Sequence, residues 1–230
     1  MDQIESESLY DERGNVNWAR PLLQGDVFDG IVLPGFGDQP MKVQIISHPC
    51  TMRMGANLTL RITVAPVEPH SSVVGQRGWD GNLRVMPLPG LIDEKHFATK
   101  FIDVTAAPAV LLTRPRRIAT LSHQGIYILQ QRLIKHYTRV EMPLELLRRQ
   151  SAAVLTEAVL QWEWIEEVLT EAELADESAI EAEAKAFDTW LGEGDPSCRA
   201  LLQNEIHHTD VHRRALRAAR DRSRTRKDQK

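Results

Sequence analysis

The sequence predicts an α+β protein in which a small β-barrel, over residues 25–121, precedes an all-helical region. Between Gly25 and Leu121, short apolar stretches alternate with segments rich in Gly, Pro, Asn and Asp, as strands joined by turns require. After Ser122 the apolar residues recur with a helical period near 3.6 instead of two. With 230 residues, 42% of them hydrophobic, the chain can bury a substantial core, so neither disulfides nor a structural metal is required.

Residues 1–24 read as an acidic arm, with a net charge of −4 over positions 1–15. Strands are expected next at Asp26 to Leu33, Lys42 to Ser47, Asn57 to Val67, Leu83 to Leu88, Lys100 to Val104 and Arg117 to Leu121. Leu58, Leu60, Ile62 and Val64 occupy every second position, which points them inward and Thr59, Arg61 and Thr63 outward. Strands of this length and spacing suit a partly open barrel. Ser122 is placed to cap a helix with Ile126, Leu129, Leu133, Ile134 and Tyr137 on one side and Gln130, Arg132 and Lys135 on others. This segment, 122–142, is expected to pack on the barrel.

Pro143 suits the first turn of a long second helix reaching about Leu169. Its stripe of Val154, Leu155, Ala158, Val159, Trp162 and Ile165 needs a partner. A third helix, Asp176 to Leu191, stops at the Gly-Glu-Gly-Asp-Pro break, and a fourth starts near Ser197. Residues 143–222 are therefore expected to form a helical hairpin or bundle, and 223–230 a basic disordered tail. Charge is unevenly distributed: net +6 over 16–156, −10 over 157–188 and +7 over 212–230. The acidic stretch can attract the basic end within one chain, or helices 143–191 can hold a protein partner or a second copy.

Cys50 and Cys198 are too few for a disulfide framework, and the acidic start lacks the basic residues of a signal peptide, so a cytoplasmic location is expected. The longest apolar runs are broken by proline and fall short of the roughly 20 residues that span a bilayer, so no membrane contact is expected. No Walker A, GxGxxG, GxSxG or kinase pattern occurs, which argues against nucleotide hydrolysis, dinucleotide redox chemistry and α/β-hydrolase activity. No cofactor is expected.

The stretch GDVFDGIVLPGFGDQPMKVQIISHPC, Gly25 to Cys50, resembles the opening of the MazF/PemK-type toxins: Gly-Asp, a strand, a glycine-bearing loop and a second apolar strand ending in Ser. The strand around Leu58 to Val67 continues the similarity. The resemblance implies an SH3-like barrel with a groove for single-stranded RNA and, in a bacterial toxin–antitoxin or phage-defence setting, metal-independent endoribonuclease activity. Met41 and Lys42 stand where that family commonly has Arg, and Lys lacks the planar fork that grips a phosphate.

Ser47, His48, Cys50, Thr51 and Arg53 cluster at a strand end, where a His base, a Thr or Cys nucleophile and an Arg clamp would be catalytic if they converged. Arg77 and Arg84 flank Trp79, a base-stacking aromatic between phosphate-binding cations, and Arg114, Arg116 and Arg117 would extend such a nucleic-acid surface. Glu205, His208 and His212 share one face of a helix, but without HExxH or paired CxxC no metal site is assigned. Two functions follow: an RNA-binding, RNA-cleaving barrel, or a non-catalytic interaction module working through the acidic helices.

Overall fold

The structure is a computed structural model that describes residues 6–70, 83–93 and 95–228. It divides into two compact units, the first comprising Met1–Val16, Leu22–Met52 and Thr59–Arg149, the second Asn17–Pro21, Arg53–Leu58 and Gln150–Lys230. Ten strands occur among the described residues: β1 (Tyr10–Arg13), β2 (Val27–Ile31), β3 (Met41–Ile45), β4 (Arg53–Met54), β5 (Asn57–Leu58), β6 (Arg61–Pro69), β7 (Val85–Ile92), β8 (Lys95–Lys100), β9 (Thr105–Pro108) and β10 (Arg117–Leu121). The helices of four or more residues are α1 (Ser6–Leu9), α2 (Pro49–Met52), α3 (His123–Thr138), α4 (Leu144–Val168), α5 (Glu177–Gly192), α6 (Cys198–Leu201) and α7 (His208–Asp228).

In the first unit eight antiparallel strands form a nearly closed barrel in the order β1-β10-β2-β3-β6-β8-β7, with β9 also paired to β6. The Arg13 guanidinium on β1 donates to the Gly90 carbonyl on β7, linking the two ends of the order. Gly25, at φ +95°, turns the chain into β2, and a Cβ there would lie 2.5 Å from Leu121 Cδ1. Only glycine meets both demands.

Several buried polar side chains of this unit are paired with one another or with backbone. Arg117 and Asp26 form an ion pair at 3.1 Å, with side chains 0% and 2% exposed. Gln44 donates to the Gly25 carbonyl and accepts from the Thr99 hydroxyl, while Gln24 donates to the Ile46 carbonyl and accepts from Gln130 on α3. Each bond satisfies a group that burial would otherwise leave without water.

Several sequence expectations are corrected in this unit. Part of the acidic arm is a strand, β1, paired with β10. The expected strand at 57–67 is interrupted: Ile62 and Val64 are buried, but Leu60 is 91% exposed and β6 starts only at Arg61. The expected strand from Lys100 is a 3-10 turn at Phe101–Asp103, flanked by β8 and β9. Ser122 caps α3 by accepting from the Gly125 amide. Contrary to the amphipathic reading, Gln130 and Arg132 are buried and Tyr137 is exposed. Arg132 is drawn in because its Nε donates to the Val85 carbonyl of β7 at 2.9 Å, a backbone acceptor that periodicity does not reveal. Gly125 lets α3 approach α1 closely, since a Cβ would meet the Leu9 carbonyl oxygen at 2.3 Å.

The second unit is a helical bundle with its own core: Leu160, Trp164, Ile165 and Val168 of α4, Ile180, Ala184, Phe187 and Leu191 of α5, and Val211, Ala215 and Ala219 of α7. Asp176 caps α5 and Ser197 caps α6. The expected fourth helix is two, because a 3-10 turn at Glu205–His207, capped by Asn204, separates α6 from α7. The acidic stretch meets the basic end within the unit. Glu183, 1% exposed at its side chain, binds Arg222 and Arg226, and Arg226 also reaches Glu173 at 2.8 Å. Glu163 accepts from His212 at 2.6 Å, and Arg220 lies 3.7 Å from Glu167. Helix α7 thus continues to Asp228, through residues expected as a disordered tail.

Candidate functional site

The strand-end cluster lies around α2, a single helical turn that holds Cys50 and Thr51, with Ser47 and His48 just before it. His48 is half-buried, and burial lowers its pKa, so the imidazole is neutral at pH 7. Its Nδ1 accepts from the Cys50 amide at 3.3 Å, which leaves the proton of the neutral ring on Nε2. Thr51 donates its hydroxyl proton to the His48 carbonyl at 2.8 Å, and Ser47 Oγ accepts from the Thr63 amide. The turn therefore commits these groups to backbone partners, and the His48 imidazole is not hydrogen-bonded to the Thr51 hydroxyl or the Cys50 thiol. Cys50 is an exposed free thiol. Arg53 begins β4 and belongs to the second unit, so the expected clamp is not part of the first unit's turn. Lys42, near the position of the family's arginine, pairs with Asp29 at 3.2 Å and lies over the Phe97 ring.

The expected nucleic-acid residues are also dispersed in role. Arg117 is the buried partner of Asp26, which removes it from any binding surface. Arg116 is exposed and donates to the Gly30 carbonyl at 3.0 Å; Arg114 is half-buried and Arg84 exposed. Arg77 and Trp79 lie outside the described residues. The expected Glu205–His208–His212 face is not built either. Glu205 sits in the 3-10 turn, His208 Nε2 contacts the Leu202 carbonyl at 2.8 Å, and His212 is bonded to Glu163. No cluster of three potential metal ligands occurs among the described residues.

The strongest surface feature is on α7. Its apolar side, Val211, Ala215 and Ala219, faces the bundle core, and Arg222 and Arg226 bind Glu183 from the same half of the helix. Arg213, Arg217, Arg220 and Arg224 recur at i, i+4, i+7 and i+11, which places them in one row on the opposite face. All four are exposed. At 1.5 Å per residue the row spans about 16 Å.

Three members have exposed carboxylate neighbours, at 3.5 Å for Arg213–Asp210, 3.7 Å for Arg220–Glu167 and 3.6 Å for Arg224–Asp221. Such pairs contribute about 0–1 kcal/mol each, so a phosphate can displace the carboxylate at little cost. Shallow grooves of about 400 Å³ lie along the row, lined by Arg213, Arg217 and Asp221 among others. The sequence held this signal in the spacing of the arginines, but a tail expected to be disordered has no face on which to align them.

No family model matches the chain, and no curated protein matches it. No helix among the described residues is long and apolar enough to cross a membrane.

Proposed function

We propose that the protein binds single-stranded RNA through the arginine row of α7 and does not cleave it. The observation that carries this reading is the alignment of Arg213, Arg217, Arg220 and Arg224 on the exposed face of a helix whose other face is anchored in its own bundle. Guanidinium groups held on a rigid helix lose less freedom on meeting phosphates than the same residues in a flexible tail would. RNA, as opposed to DNA, is favoured by the resemblance of residues 25–121 to MazF/PemK-type barrels. Catalysis is left out because the His48 Nδ1 lone pair, which a base would need, accepts from the Cys50 amide, and the Thr51 hydroxyl proton is donated to the His48 carbonyl.

The alternative of an acidic docking helix is disfavoured because Glu163, Glu173 and Glu183 already bind His212, Arg222 and Arg226. The test is fluorescence anisotropy with a labelled single-stranded RNA across a salt series. Four phosphate contacts give a log–log slope of about −3, and each Arg→Gln change in the row lowers its magnitude by about 0.7. An unchanged slope in the quadruple Gln variant, or no binding at low salt, refutes the assignment. If His48→Ala abolishes RNA degradation by the wild type, the non-cleaving reading is wrong.

A further inference from the structure

An open groove of about 490 Å³ adjoins the arginine row, between the C-terminal part of α5 and α7, and is lined in part by Trp164, Thr189, Trp190, Glu193 and Arg222. It shares Ala218 and Asp221 with the groove beside Arg213 and Arg217, so the two form one continuous surface. Trp190 is half-buried and rests on an aromatic floor: its ring centroid lies 5.5 Å from Trp164 and 5.9 Å from Phe187, tilted 36° and 33° to them. These two rings hold the indole at a fixed angle, and Trp164 is only 3% exposed. The Trp164 indole N–H has no hydrogen-bond partner among the described residues, an uncommitted donor beneath the groove. An aromatic face backed by rigid neighbours, with cations on α7 along the adjoining groove, is the pairing that accommodates an unstacked base and its phosphates.

We infer that this groove receives one unpaired base of a single-stranded RNA, stacked on Trp190, while the adjoining phosphates lie on Arg213 and Arg217. The inference rests on the proposed binding of single-stranded RNA and adds the groove that takes a base and the residue on which it stacks. A base paired within a duplex cannot enter, so the groove favours single strands over duplexes of equal length. Asp221, present in both grooves, is the one carboxylate that each ligand group must pass, and it opposes binding.

The probe is an oligouridine carrying a single 5-iodouracil, irradiated with the full-length protein and mapped by mass spectrometry. The crosslink is expected at Trp190. Trp190→Ala should weaken oligouridine binding on the order of 10-fold, with Trp190→Phe retaining most of it, while the affinity for a blunt duplex is unchanged. Asp221→Asn should tighten binding of the single strand. Equal losses for single strand and duplex in Trp190→Ala would mark a structural effect and overturn the inference, as would a crosslink elsewhere with the salt slope intact. That last outcome leaves the arginine row standing; absence of binding removes both.

Discussion

Glu183→Gln tests whether the basic end of the chain is a structural part of the bundle. Glu183 is nearly inaccessible, yet three hydrogen bonds from two arginines reach it: Arg222 Nε at 2.5 Å, a second Arg222 nitrogen at 3.2 Å and Arg226 at 2.5 Å. Burial pushes its carboxyl up, but the bonds and charges of Arg222 and Arg226 outweigh that and hold it below the ordinary carboxylate range. Removing one partner of a fully buried pair costs about 3–5 kcal/mol. Here the arginine side chains are 42% and 28% exposed and can regain water, so the expected cost is lower, about 2–3 kcal/mol.

At about 4–8 °C per kcal/mol for a unit of this size, the melting temperature followed by helical circular dichroism should fall by about 10–20 °C at pH 7. The pH dependence has a definite sign. A depressed carboxylate pKa contributes stability above its unfolded value, near 4.3, and that contribution is lost as pH falls through the lower folded value. The gap between wild type and Glu183→Gln should therefore close under acid conditions. A variant that melts within about 2 °C of wild type at pH 7 would refute the reasoning, since it would mean that α7 contributes no anchored turn at Arg222 and Arg226.

In the barrel, Asp26→Asn or Arg117→Met alone should cost about 3–5 kcal/mol by urea denaturation, because each takes the opposite charge away from a buried ion. The double change Asp26→Leu with Arg117→Met should cost less than either single one, and an additive loss would argue against a direct pair. Gly25→Ala should destabilise the barrel by about 1–3 kcal/mol through its positive φ and the approach of Leu121, measured by the same denaturation. Preserved stability in Gly25→Ala would show that the turn relaxes freely.

Much of the architecture was legible because it rests on local physics. The change of apolar period and the cap at Ser122, the helix starts near Asp176 and Ser197, and the break after Leu191 depend on neighbours within a few residues, and the structure places helix ends beside each of them. The match between the −10 and +7 segments was also readable, since the sum of charges needs no coordinates. Which glutamate takes which arginine depended on the packing of α5 against α7, which decides that Glu183 is the buried one.

Other features were decided by tertiary contacts alone. Tyr10–Arg13 is a strand because β10 offers it an edge, and Leu60 is exposed because the ladder with β9 begins only at Arg61. Arg117 looked like a surface cation until the barrel put Asp26 beside it, and His48 looked like a base until α2 turned the Cys50 amide onto its ring. Sequence order by itself determined which residues were near in chain and which face of a helix they share. Only the fold determined which charges are buried, because burial and hydrogen-bond geometry arise between residues far apart in the chain, as Asp26 and Arg117 are at 91 positions, a separation that no local pattern encodes.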